Sequence, residues 1–360
     1  MSMIISTRKF HSSTSPLPPP LDVHAGARAS WTAVPIIGKR LGQVAWRPVR
    51  TDSTIVDLIV LGDSYADDID MGFVCWPSVL AQRRGWSILN AARGGSISGQ
   101  GIAQYQRAIA FAEQAQLQVS GSTVCIVHLG GNNLLHALWL GPVAAALLVI
   151  DVASIGLGLL GYTRRLTDLP RLSFAGLLAR SVLGDLGKLV RHLGGKGHTE
   201  LLVCGLPVCA AIPTMRVVLS VLLWPLLLWP SRLWTPRGGG GAHVHSRAVS
   251  AVATDFAALA QSAIEAHVRS EAADAGVTLR FFDEAAAVMA VADEARRRER
   301  GSIFKDGHHP NEAAHARIAA FAEAALLEEA ASATKAPPPP AQLAVVRARR
   351  KASPRKAGRE

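Results

Sequence analysis

The apolar run Leu58-Ile59-Val60-Leu61 stops abruptly at Gly62-Asp63 and presents Ser64. A strand-like run that breaks in a glycine turn displays the next polar side chain at the edge of a sheet, so Ser64 is a candidate nucleophile. Serine alone is a weak one; it needs a general base, a group that orients the base, and donors for the oxyanion that forms. In a chain with 32 glycines such a turn also arises as a plain strand-to-helix connection, so the partners decide.

The partners are spread over the chain. Lys305-Asp306-Gly307-His308-His309-Pro310-Asn311 places a carboxylate three residues before a histidine. That spacing lets the carboxylate turn back onto one ring nitrogen and leave the other for a nucleophile. His309 is then the base and Asp306 its orienter, while His308, at shorter spacing, is the competing choice. Oxyanion donors must come from loops beside the serine. Asn90-Ala91-Ala92-Arg93-Gly94-Gly95-Ser96 offers a glycine turn whose N–H groups are sterically open, and Leu129-Gly130-Gly131-Asn132-Asn133 offers a side-chain amide. With the Ser64 N–H these make a three-donor hole, each donor worth roughly 3 kcal/mol in the transition state.

In this order, each after a strand-like run, the motifs resemble the SGNH (GDSL) hydrolase family. Gly62-Asp63-Ser64 is similar to its first block, Gly95 to its second, Gly130-Gly131-Asn132 to its third and Asp306-Gly307-His308-His309 to its fifth. The resemblance spans about residues 55–327. It implies Ser64 as nucleophile, His309 as base, Asp306 as orienting acid, and Ser64, Gly95 and Asn132 as the oxyanion hole. It further implies a three-layer flavodoxin-like α/β fold, a five-stranded parallel sheet with helices on both faces, and ester hydrolysis through an acyl-enzyme without metal or cofactor. The third block usually continues with Asp where this chain has Asn133, which bears on the geometry of that loop.

The elements that must position these residues follow from the rest of the chain. Of 360 residues, 49% are hydrophobic and 18% charged, ample for a large core. The surplus of 38 Lys and Arg over 27 Asp and Glu sits in the tails: seven basic residues against Asp22 in 1–50, and eight against Glu360 in 333–360. The body is close to neutral, which argues against nucleic-acid binding. Four cysteines without metal-ligand spacing argue against a disulfide framework or zinc.

Residues 1–50, with Ser12-Ser13-Thr14-Ser15 and a proline cluster, read as a disordered or targeting leader. Residues 51–332 form the hydrolase domain and 333–360 a disordered basic tail. Within the domain, strands are expected at about 55–61, 86–89, 123–129, 200–205 and 278–282, with helices at about 101–117, 246–273 and 311–329, the last capped by Asn311. The acidic run Asp67, Asp68 and Asp70 reads as a solvated helix start or a substrate-selecting surface, and Trp76 and Trp86 as core residues.

Two apolar insertions, 134–162 and 217–234, break the alternation. A membrane span needs roughly 20 apolar residues, and neither stretch is a convincing lone span, because Asp151 interrupts the first and Pro225 and Pro230 the second. Both follow strands whose C-terminal ends carry the site in open sheets. They are therefore expected to form an apolar cap or membrane-docking surface favouring a lipid or other hydrophobic acyl ester, or else extra core helices. Three functions follow: an esterase or lipase, a carbohydrate O-acetylesterase, and a catalytically impaired membrane-associated binding protein on the same scaffold. The compartment stays open between membrane-associated and organellar.

Overall fold

Strand β2, Ile55–Gly62, is buried from Leu58 to Gly62, the pattern of a strand covered on both faces. It lies near the middle of a six-stranded sheet whose other members are β1 (Ala45–Arg47), β3 (Ile88–Asn90), β4 (Gln118–His128), β5 (Glu200–Cys204) and β6 (Thr278–Phe282). The order is β1-β3-β2-β4-β5-β6, and every pairing except β1 with β3 is parallel. The structure, a computed structural model, describes residues 44–133, 174–207, 212–213, 261–298 and 301–333.

All five expected strands are present within a few residues, and there is one more. Ala45–Arg47 lies in the stretch read as leader, and it pairs antiparallel with β3 in the register Ala45 to Asn90. What holds it is burial of Ala45 and Trp46 and an ion pair from Arg47 to Asp68 at 3.2 Å, both side chains nearly inaccessible. Arg47, counted among the tail charges, is therefore a core residue. The expected five-stranded sheet becomes six-stranded for this reason, and the sheet takes in residues 45–47, before residue 51.

Helices cover both faces. α1 (Asp68–Met71) and α2 (Trp76–Arg84) follow β2, α3 (Gly101–Gln114) follows β3, and α4 (Phe174–Gly195) precedes β5. Residues 261–275 form α5, before β6; α6 (Glu284–Arg297) and α7 (Glu312–Ala333) complete the described chain. α2, α6 and α7 pack together on one face, where Trp76 of α2 meets Phe282 at the end of β6 with ring centroids 5.4 Å apart. α3 packs on β2, β4 and α4 on the other, through Tyr105, Ala108, Phe111 and Ala112 at helical spacing. Asn311 caps α7 by accepting the Ala314 N–H at 2.9 Å. The expected helix at 246–273 is described only from 261 onward, and the insertions 134–162 and 217–234 lie outside the described residues, as do 1–43 and 334–360. Among the described residues, no helix is long and apolar enough to cross a membrane.

Leaving β1 aside, the parallel strands run 2-1-3-4-5 in their own order of succession, the flavodoxin-like arrangement. The chain leaves β2 in one direction and returns to β4 on its other side, which opens a crevice outside the carboxyl ends of β2 and β4. Ser64 and Asn132 both lie just past those ends.

Candidate active site

The four motifs converge at that crevice. The Ser64 hydroxyl lies 2.8 Å from His309 Nε2, and His309 Nδ1 lies 2.7 Å from Asp306 Oδ2. The three-residue spacing works because Asp306 closes a turn on itself: its Oδ1 accepts the N–H groups of His308 at 3.0 Å and His309 at 2.8 Å. The loop is pinned by Lys305 N–H donating to the His309 carbonyl and Asn311 N–H donating to that of Ile303. One carboxylate thus fixes both the backbone and the ring of His309.

Burial pushes the Asp306 carboxyl upward, but the His309 N–H, the His309 ring and the His308 N–H outweigh it and hold the group well below the usual carboxylate range. Asp306 is therefore an anion across the physiological range. An anion on Nδ1 selects the tautomer with hydrogen there and leaves the Nε2 lone pair for the serine proton. His308, the competing base, points elsewhere: its ring stands edge-on to Tyr65 and to His309, with centroids 5.5 and 4.8 Å away. Its carbonyl accepts the Tyr65 hydroxyl at 2.7 Å, so it serves the loop.

The groups expected to donate to an oxyanion lie on three loops. Gly95 adopts a left-handed conformation, φ +76°, in the turn after β3. Among the described residues, neither the Ser64 N–H nor the Gly95 N–H is bonded to a backbone acceptor. Asn132 is buried, and its Nδ2 donates to the Ser96 carbonyl at 3.0 Å, which ties the third-block loop to the second and leaves another amide hydrogen to spare. Asn133, the departure from the pattern that the motifs resemble, is bonded through both its amide oxygen and its amide nitrogen. Its Oδ1 accepts the Ser98 N–H at 2.8 Å, its Nδ2 donates to Ser98 Oγ at 2.9 Å, and Ser98 Oγ donates to Asp185 Oδ2 at 2.8 Å.

Several residues around the site were not singled out from sequence. Gln104 on α3, fully buried, accepts the Gly62 N–H and donates to the Gly62 carbonyl, each at 2.8 Å, and donates to Ser96 Oγ at 2.9 Å. It joins the nucleophile turn to the Gly95 turn. Beneath Ser64 lies a buried acid–histidine–acid group. His128 Nδ1 sits 3.1 Å from Asp63 Oδ1, and His128 Nε2 is hydrogen-bonded to Glu284. Burial alone lowers the His128 pKa, yet the Glu284 and Asp63 carboxylates prevail and hold it well above the ordinary value. A local signal existed for Gln104, one turn into a helix that starts at a glycine, but its partners are backbone atoms 42 residues away. Nothing local marks Glu284, which meets His128 across 156 residues.

The acidic run differs from its expected solvated start. Asp67 and Asp68 are each 3% exposed and only Asp70 faces solvent. Trp76 is a core residue as expected, whereas Trp86 is half-buried under the Arg84 guanidinium. Among the described residues, no group of three His, Cys, Asp or Glu side chains is arranged so that it could hold a metal ion.

No family model matches the chain, and no curated protein matches it. Solved structures that superpose on it include an acetyl xylan esterase, at 14% identity over 75% of this chain and 99% of that one, with a TM-score of 0.36. They also include an extracellular lipase from Streptomyces rimosus, at 15% identity over 76% of this chain and 99% of that one, with a TM-score of 0.36.

Proposed function

We propose that this protein is a serine ester hydrolase of the SGNH type. The observation that carries the reading is the unbroken line Ser64 Oγ, His309, Asp306, set beside the unengaged N–H groups of Ser64 and Gly95. Ser64 Oγ attacks the ester carbonyl as His309 Nε2 takes its proton; the carbonyl oxygen gains the negative charge and meets the N–H groups of Ser64 and Gly95 and the amide of Asn132. His309 then returns the proton to the departing alcohol, leaving an acyl group on Ser64. A water, deprotonated by the same nitrogen, releases the acid and restores the serine. Each oxyanion donor contributes on the order of 3 kcal/mol because it is oriented before charge develops.

The substrate class we favour is a lipid or other hydrophobic acyl ester. The support is in the sequence: Leu-rich 217–231 with Trp224, Trp229 and Trp234, flanked by Arg216, Arg232 and Arg237, has the composition of a membrane interface and follows a strand that ends at the site. The reading of an impaired binding protein leans on Asn133 and on the apolar insertions, and the bonding of both amide atoms of Asn133 weakens the first of these supports.

Fluorophosphonate labelling and hydrolysis of a series of model esters, with and without liposomes, test both parts. Labelling and turnover that vanish in Ser64→Ala are expected, with rates that rise with chain length and again with liposomes. Labelling that survives Ser64→Ala would overturn the nucleophile, and a preference for acetyl esters indifferent to liposomes would overturn the lipid substrate in favour of an O-acetylesterase.

A further inference from the structure

The residue that follows the nucleophile by three positions reaches across to the opposite wall of the site. Asp67 Oδ2 accepts the N–H of Gly94 at 2.9 Å, and Asp70 Oδ2 accepts the same N–H at 3.0 Å. Gly94 immediately precedes Gly95, the donor proposed for the oxyanion hole. Asp67 is itself held from behind, because its Oδ1 accepts the N–H groups of Ile69 at 2.9 Å and Asp70 at 3.2 Å as the cap of α1. The fit at Gly94 is tight on the Asp70 side: a Cβ there would come within 2.2 Å of Asp70 Oδ2, so with any other residue the Asp70 carboxylate would have to move off that peptide.

We propose that Asp67, seconded by Asp70, is a positioning residue that aims the Gly95 N–H by gripping Gly94, so that its carboxylate acts in catalysis without touching substrate. The inference rests on the hydrolase reading above. It follows from covalent geometry: the Gly94 N–H and the Gly95 N–H are successive peptides, and fixing the first plane limits the second to rotation about one residue. Oxyanion donors act through orientation fixed beforehand, so a slackened Gly94 lowers turnover more than ground-state binding.

The grip depends on charge. Burial, seconded by the neighbouring Asp70 carboxylate, lifts the Asp67 pKa to about 6 against the opposing pull of the Gly94 and Asp70 N–H groups. The other ionisable groups around it are the buried Cys75 thiol, itself pushed up by burial and by Asp68 and Asp67, and Asp68. Asp68 is taken up by Arg47 of β1, by Ser78 Oγ and by the Cys75 N–H. Above about pH 6 Asp67 is an anion and the grip is strong; below it the acceptor is neutral and weaker.

The test compares wild type with Asp67→Asn, Asp70→Asn and the double variant on one soluble ester, across pH 5 to 8, with melting temperature and inhibition by an alkylboronic acid recorded for each. Loss of a whole oxyanion donor costs 10²–10³ in turnover, so loosening one is expected to lower kcat about tenfold in Asp67→Asn at pH 8. KM should stay within about twofold, because only transition-state contacts change. Boronate inhibition should weaken by the same factor as kcat, and the gap from wild type should close as pH falls through about 6. Asp70→Asn, at the exposed partner, should show a smaller loss in the same direction and guards against a misfolded Asp67 variant. A kcat unchanged in all three variants would overturn the proposal, as would a loss equal at every pH that tracks melting temperature. A wild type without Ser64-dependent hydrolysis would instead overturn the hydrolase reading.

Discussion

Asp306 holds His309 by its backbone and by its ring, and these two grips have different consequences. An amide at 306 keeps the backbone turn, since its oxygen can still accept the His308 and His309 N–H groups, but offers an N–H to Nδ1. The imidazole then carries its hydrogen on Nε2, facing Ser64 without a lone pair. Asp306→Asn is therefore expected to lower kcat by about 10⁴-fold, the loss that such a wrong tautomer causes, with KM and melting temperature little changed. Steady-state kinetics beside a thermal melt checks it, and a loss below tenfold would mean that the carboxylate only shapes the loop. The Asp306–His309 pair was legible in the sequence because both partners lie within one turn. Asp67, Gln104 and Glu284 were not, because what each side chain bonds is a group 27, 42 and 156 residues away.

At the scale of elements, the parallel strands announced themselves because they are covered on both faces and read as apolar runs, whereas β1 is three residues long and ends in arginine. Only its fit against β3 and Asp68 makes it a strand. The loop after β4 shows how context accommodates a departure from the pattern that the motifs resemble. Asn133 donates to Ser98 Oγ, and that hydroxyl spends its own hydrogen on Asp185 of α4, so one chain of bonds joins the third-block loop to the turn before α3 and to α4. An aspartate at 133 would set two carboxylates on a single hydroxyl hydrogen. Asn133→Asp is expected to destabilise the fold by about 1–3 kcal/mol, the cost of a buried acceptor left without its donor. Denaturant titration measures it. Asn133→Asp combined with Asp185→Asn should recover part of the loss, since an amide at 185 can donate to Ser98 Oγ and free its hydrogen for residue 133; no recovery would mean that the damage lies elsewhere.

For the molecule as a whole, the charges that the composition assigns to tails and solvated faces prove less telling than those it hides. Arg47–Asp68, Asp63–His128–Glu284 and His315 are buried among the elements that carry the site, and burial and neighbouring charges move the pKa values of Asp68, His128, Glu284 and His315 from their ordinary values, which couples their protonation to folding. His315 on α7 is inaccessible, and its Nδ1 accepts the Trp76 N–H at 3.2 Å, which requires the neutral ring. Burial, seconded by the positive charge at His128, lowers its pKa to about 3. In the unfolded chain the same ring takes a proton near pH 6.5. Above that value the ring is neutral in both states and its contribution to stability is complete. As pH falls from about 6.5 toward 3 the unfolded chain gains a proton that the folded one refuses, and stability drops by about 1.4 kcal/mol per pH unit, several kcal/mol over the window. His128 has the opposite sign: its raised pKa contributes fully below about 6.5 and is lost as pH rises through the folded value. Urea titrations of wild type and His315→Gln from pH 4 to 8 separate the two. The variant, whose amide can still accept the Trp76 N–H, should be the less stable above pH 7 and should lose less on acidification, so the two curves converge or cross. Parallel curves would mean that His315 is protonated as readily in the folded protein as outside it, and that acid sensitivity originates in the carboxylates instead.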